Sequence, residues 1–152
     1  MESKGFVFSQ TIFIGRPAED VWVGITDKRY IDQYYLVPLG VEKFSKGDEI
    51  FYGTEDEKMI SGKVLEMDEG SILTHSFQFL QGEEEQETIV EYRIEPLGDM
   101  CILHLTHSGF TEETQTYHDI SSGWPIILSG LKTLLETGET LPWPDPDTEQ
   151  GV

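Results

Sequence analysis

Basic side chains are scarce in this 152-residue chain: ten lysines and arginines stand against 29 acidic residues, a formal charge of −19. A field of that sign repels phosphate backbones and anionic headgroups, which argues against nucleic-acid and membrane-surface roles. Solubility alone is sufficient reason for it. Cysteine is nearly absent. Cys101 stands alone, which excludes an intramolecular disulfide and a cysteine-based zinc cage. Its neighbours Met100, Ile102 and Leu103 mark it as a packed strand thiol rather than a nucleophile. No run approaches the roughly 18 apolar residues of a membrane span. The opening MESKGFVFSQ has no apolar stretch behind a basic segment, so no signal peptide is read there. From these absences a soluble, reduced, cytoplasmic protein is expected, without membrane insertion.

What the chain does have is aromatic residues: eight Phe, six Tyr and three Trp, enough to build a core within a single domain. Its strongest pattern is Gly123–Gly138, GWPIILSGLKTLLETG, where Trp124, Leu128, Leu131 and Leu135 form one helical stripe that Ile127 and Leu134 widen. Ser121 or Ser122 is expected to cap this helix, Pro125 to sit in its first turn and Gly138 to end it. Such a helix needs a wide surface to lie on.

That surface is predicted to be a sheet. Phe6 to Ile14 reads as a first strand, followed by two short helices, one opened by Pro17-Ala18-Glu19-Asp20 and one over Asp27 to Tyr35. Strands are then expected over 47–53, 58–67, 72–80, 88–95 and 100–108, with Asp68-Glu69-Gly70 as a hairpin turn and Gln81 to Glu87 as an acidic loop. The residues alone thus give an α+β domain over 1–138, a curved antiparallel sheet of about six strands covered by helices on one face. Residues 139–152 read as a Pro-rich mobile tail in which Trp143 is free to fold back.

Ordered motifs carry a family likeness. Ile14-x-x-Pro17-Ala18-Glu19-Asp20-Val21-Trp22 with Thr26-Asp27 resembles the opening of the START-like (SRPBCC) superfamily. Val64-Leu65-Glu66-Met67-Asp68, Glu95-Pro96-Leu97-Gly98-Asp99, Leu105-Thr106-His107-Ser108-Gly109-Phe110 and Gly123-Trp124 are similar to the branch containing the C-terminal domain of the activator of heat-shock protein 90 ATPase. The likeness implies a helix-grip fold, with the sheet wrapped around the long C-terminal helix and a cavity between them. Binding of a small apolar molecule without catalysis is the leading functional expectation. A chaperone-associated interaction is the second, and a cyclase-like enzyme the third.

The chemistry-bearing residues are few. His75 and His107 fall in phase with apolar neighbours and are expected to point inward, where a ligand contact or acid/base role competes with simple core packing. His104 is on the opposite phase and His118 lies in the approach to the helix. No metal set or cofactor motif is read, since the histidines lack an i, i+4 pair and Glu83-Glu84-Glu85 lacks calcium-loop spacing. Ser108 lacks the context of a nucleophile elbow and reads as a turn residue, so no catalytic residue is assigned. A cavity beneath the helix is expected to be lined by Phe51, His75, Phe77, Tyr92, His107, Trp124 and Leu128. Strand edges at 6–14 and 47–53 leave the oligomeric state open.

Overall fold

A computed structural model of the chain describes residues 6–35, 37–42, 44–80, 87–110 and 115–142. The order is β1 (Phe6–Ile14), α1 (Ala18–Thr26), α2 (Lys28–Tyr34), β2 (Glu49–Gly53), β3 (Lys58–Asp68), β4 (Ile72–Phe79), β5 (Thr88–Leu97), β6 (Met100–Phe110) and α3 (Gln115–Thr137). The strands form one sheet in the order β1-β6-β5-β4-β3-β2, and every neighbouring pair is antiparallel. β2 to β6 follow one another as a meander, and β1 returns to the far edge beside β6. This is an α+β helix-grip fold, as expected.

Alternation decides which face is the core. Leu73, His75 and Phe77 of β4 are buried, as are Val90, Tyr92 and Ile94 of β5 and Cys101, Leu103, Leu105 and His107 of β6. Against this face α3 buries Ile120, Trp124, Ile127, Leu128, Leu131 and Leu134, the predicted stripe with one more turn at its start. Leu135 is only partly buried. Two glycines let the short helices approach closely. A Cβ on Gly24 of α1 would lie 2.9 Å from Leu131, and one on Gly130 of α3 would lie 3.3 Å from the Tyr34 Cβ. The Tyr34 hydroxyl then donates to the Gly24 carbonyl at 2.9 Å. At the last turn of α3, Glu136 accepts from the Gly15 amide at 2.6 Å while Lys132 donates to the Phe13 carbonyl at 2.8 Å. The C-terminal half of α3 is therefore held from three directions.

Its N-terminal half differs from the sequence reading. The helix starts at Gln115 rather than after Ser122, so Pro125 lies inside it and neither Ser121 nor Ser122 caps it. Ser121 instead donates its hydroxyl to the Tyr117 carbonyl at 2.7 Å. Pro125 has no N–H to give the Ser121 carbonyl, so the helical ladder skips one rung there. Ser108 likewise lies within β6 beside the irregular Gly109 (φ +99°), not at a turn. β5 runs on through Pro96, and the reversal is made by Gly98 (φ +63°) and Asp99. The hairpin at 68–70 is present, with Gly70 at φ +85°. The acidic loop at 81–86 and Trp143 with the tail beyond it lie outside the described residues.

Candidate functional site

Two buried histidines mark the inner face of the sheet. His107 on β6 has both nitrogens engaged. The Trp124 indole, which can only donate, gives its N–H to His107 Nδ1 at 3.0 Å. Nδ1 is therefore bare and Nε2 carries the proton, which it donates to Thr88 Oγ1 at 2.7 Å. The Thr88 hydroxyl donates onward to the Phe77 carbonyl at 3.1 Å. This chain of donors joins α3 to β6, β5 and β4. Desolvation, with the nearby His75, lowers the His107 pKa to about 3, so the ring stays neutral.

His75 on β4 is only half satisfied. Its Nδ1 donates to the Ser76 carbonyl at 2.7 Å, which leaves Nε2 as an acceptor. That Nε2 is fully buried and has no partner among the described residues. Gly62 on β3 is needed beside it, since a Cβ there would fall 2.1 Å from the Ser76 carbonyl oxygen. Desolvation lowers the His75 pKa to about 4. Tyr52 and Tyr92 flank the ring at centroid distances of 6.4 and 6.3 Å. Tyr35 stacks on Tyr52 at 4.6 Å, and burial pushes the pKa of all three phenols up.

Above this layer lies a cavity of about 230 Å3 between α3 and the β3–β4 side of the sheet. Tyr35, Phe77, Phe79 and Trp124 supply its aromatic walls. Val37, Met59, Ile60, Ile120 and Ile127 fill the spaces between them. Gly123 opens room on the helix side, and Asp119 contributes the one charged side chain of the lining among the described residues. The volume exceeds the roughly 150 Å3 that holds a single benzene ring and falls below the ~300–1,000 Å3 of drug-sized sites. A body of one or two rings fits.

Of the residues picked from the sequence, Phe77 and Trp124 border this cavity. His107 packs directly behind both, 4.6 Å from the Phe77 ring and hydrogen-bonded to Trp124. Tyr92 meets Trp124 edge-on at 6.0 Å, His75 lies one ring further back, and Leu128 is fully buried on the same helix face. Phe51 is elsewhere. Its neighbours Ile50 and Tyr52 are the buried residues of β2, so Phe51 projects from the opposite face, over Gly40 and beneath the Lys58 ammonium at 4.5 Å. The sequence reading missed Tyr35, Phe79 and Asp119 as lining and Thr88 as a network member. Aromatic alternation in 72–80 pointed to Phe79, whereas nothing local distinguished Thr88 or Asp119. His104 is on the outer face, bonded to Thr11 and Glu95, and His118 is exposed. Among the described residues no group of three or more His, Cys, Asp or Glu could hold a metal ion, and no helix is long and apolar enough to cross a membrane.

With this geometry established, the family model described as Activator of Hsp90 ATPase homolog 1-like protein matches residues 16–136. The chain belongs to that family. This Hsp90-activator-like, START-like domain has no match among curated protein sequences. Its fold recurs in solved structures. Protein MLL2253 from Mesorhizobium loti is 19% identical over 86% of this chain and 97% of its own, with a TM-score of 0.76. The Aha1 dimer from Colwellia psychrerythraea is 17% identical over 88% and 98% of the two chains, with a TM-score of 0.74. DynU16, of the dynemicin biosynthetic locus, is 18% identical over 91% of this chain and 51% of its own, with a TM-score of 0.75. The START-like chain spans about half the length of DynU16. At such identities the likeness shows the fold alone.

Proposed function

We propose that this protein is a cytoplasmic binding module that holds one small, largely apolar molecule between α3 and the sheet without transforming it. The observation that carries the reading is the 230 Å3 cavity with aromatic and aliphatic walls between the N-terminal half of α3 and the sheet. The state of the histidines supports binding without catalysis. Both are neutral, both sit behind the walls, and the hydrogen bonds of His107 are all spent on holding the fold. A cyclase-like reaction that used either histidine would need its ring on the cavity surface, and neither ring is there.

Native mass spectrometry of gently purified protein, beside a denatured control, tests this. A reproducible added mass that disappears on denaturation is the expected result. A ligand at a hundred times its dissociation constant should also stabilise the fold by about 2.7 kcal/mol. No thermal shift with any apolar compound at saturation would remove the main support. The family description favours a second reading, association with a heat-shock protein 90 homologue. With a charge of −19 such a complex would weaken with salt, and unchanged ATP turnover by the chaperone would exclude it.

A further inference from the structure

We infer that the ligand this cavity selects is a hydrophobic amine: an apolar, ring-sized body between the aromatic walls, with its ammonium at the mouth beside Asp119. The inference rests on the reading of the cavity as a ligand site and adds the charge of the ligand to it. Three observations point the same way. The first is the lining itself, which is almost wholly apolar, with the exposed Asp119 as its one charged neighbour and, among the described residues, no lysine, arginine or histidine. An anion such as a fatty acid would find no cationic partner there, and burying it unpaired would be strongly unfavourable. Lys58 is the basic neighbour of the lining residue Met59, but its ammonium lies over Phe51 on the opposite face of β2.

The second observation is the state of Asp119. One of its oxygens accepts from the Gln115 amide at 2.9 Å, and it makes no ion pair among the described residues. A carboxylate at the rim of an apolar cavity is thus available to a donor cation. The third is the wall chemistry. Tyr35, Phe77, Phe79 and Trp124 supply aromatic rings, whose π-systems attract ammonium groups and suit apolar bodies equally well.

Calorimetric titration with three probes of one skeleton, 2-naphthylmethylamine, 2-naphthylmethanol and 2-naphthoate, separates the possibilities. The amine is expected to bind about tenfold more tightly than the carboxylate, with the alcohol between them. Asp119→Asn, at an exposed position, should bring the amine down to the affinity of the alcohol and leave the alcohol unchanged. High salt should narrow the amine's advantage in the same way. Equal binding of all three probes, or tightest binding of the carboxylate, overturns the inference and leaves the cavity reading standing. An amine preference that survives in the Asp119→Asn protein overturns the role of Asp119. Failure of all three probes to bind removes the ligand site itself.

Discussion

The two buried histidines lie on β4 and β6, with Val90 of β5 paired to both, and face the same core, yet they have opposite bonding. His107 is bonded at both nitrogens, through Trp124 and Thr88, to three other elements. His75 is bonded once, to the backbone of its own neighbour, and its second nitrogen is empty. Burial alone therefore says little about what a polar group does. A fully bonded buried ring fixes the position of the helix above it, while a half-bonded one imposes the desolvation penalty of its free acceptor, roughly 1–3 kcal/mol.

The contrast can be broken from the His107 side. Trp124→Ala removes a fully buried ring and leaves His107 Nδ1 as empty as His75 Nε2. Chemical denaturation should show a loss of about 3–5 kcal/mol, and ligand binding should weaken with it. Acid should break both centres together. Each histidine has a folded pKa near 4 or 3, below the roughly 6.5 of the unfolded chain. The unfolded state therefore binds more protons, so the contribution is complete above about pH 6.5 and is lost as pH falls toward the folded values. By pH 5 the loss should be about 2 kcal/mol per histidine, in a range where carboxylates have barely begun to titrate.

Smaller changes sharpen the difference. Thr88→Val keeps the shape but strands the His107 Nε2 proton and the Phe77 carbonyl. A loss of about 1–3 kcal/mol is expected, or several degrees in the melting temperature. His75→Leu removes the empty acceptor along with the ring and should change stability by less than about 1 kcal/mol. It should also nearly halve the acid-induced loss between pH 6.5 and 5. A large cost for this variant would show that the His75 acceptor has a partner in solution.

Much of this arrangement was readable in advance. The i, i+4, i+7 stripe through Trp124 and Leu131 located the core face of α3, and period-two alternation put His75 and His107 inside. Bonding was not readable, because Thr88, His107 and Trp124 are distant in sequence and meet only through strand register and helix docking. Phe51 failed for a different reason. In a five-residue strand closed by glycine, alternation shows that Phe51 and Tyr52 face opposite ways but not which of them faces in. The Gly40 contact with the Phe51 ring decides it, and that contact is tertiary. The start of α3 was placed too late because Pro125 was assigned to a first turn, where proline is common. Packing of Ile120 and Trp124 against the sheet holds the helix together across the missing rung.

That missing rung divides α3 into two segments that are anchored in different ways. Beyond Pro125 the helix is pinned by the Glu136 and Lys132 clasp and by the close contacts at Gly24 and Gly130. Before it, Trp124 is bonded to His107 and Tyr117 packs on Phe6 and Phe110, while Asp119, Ile120 and Gly123 form one side of the cavity. Amide exchange should therefore show the two segments opening independently along one continuous helix. A molecule bound in the cavity adds most of its helix contacts to the first segment, so its binding should slow exchange chiefly before Pro125.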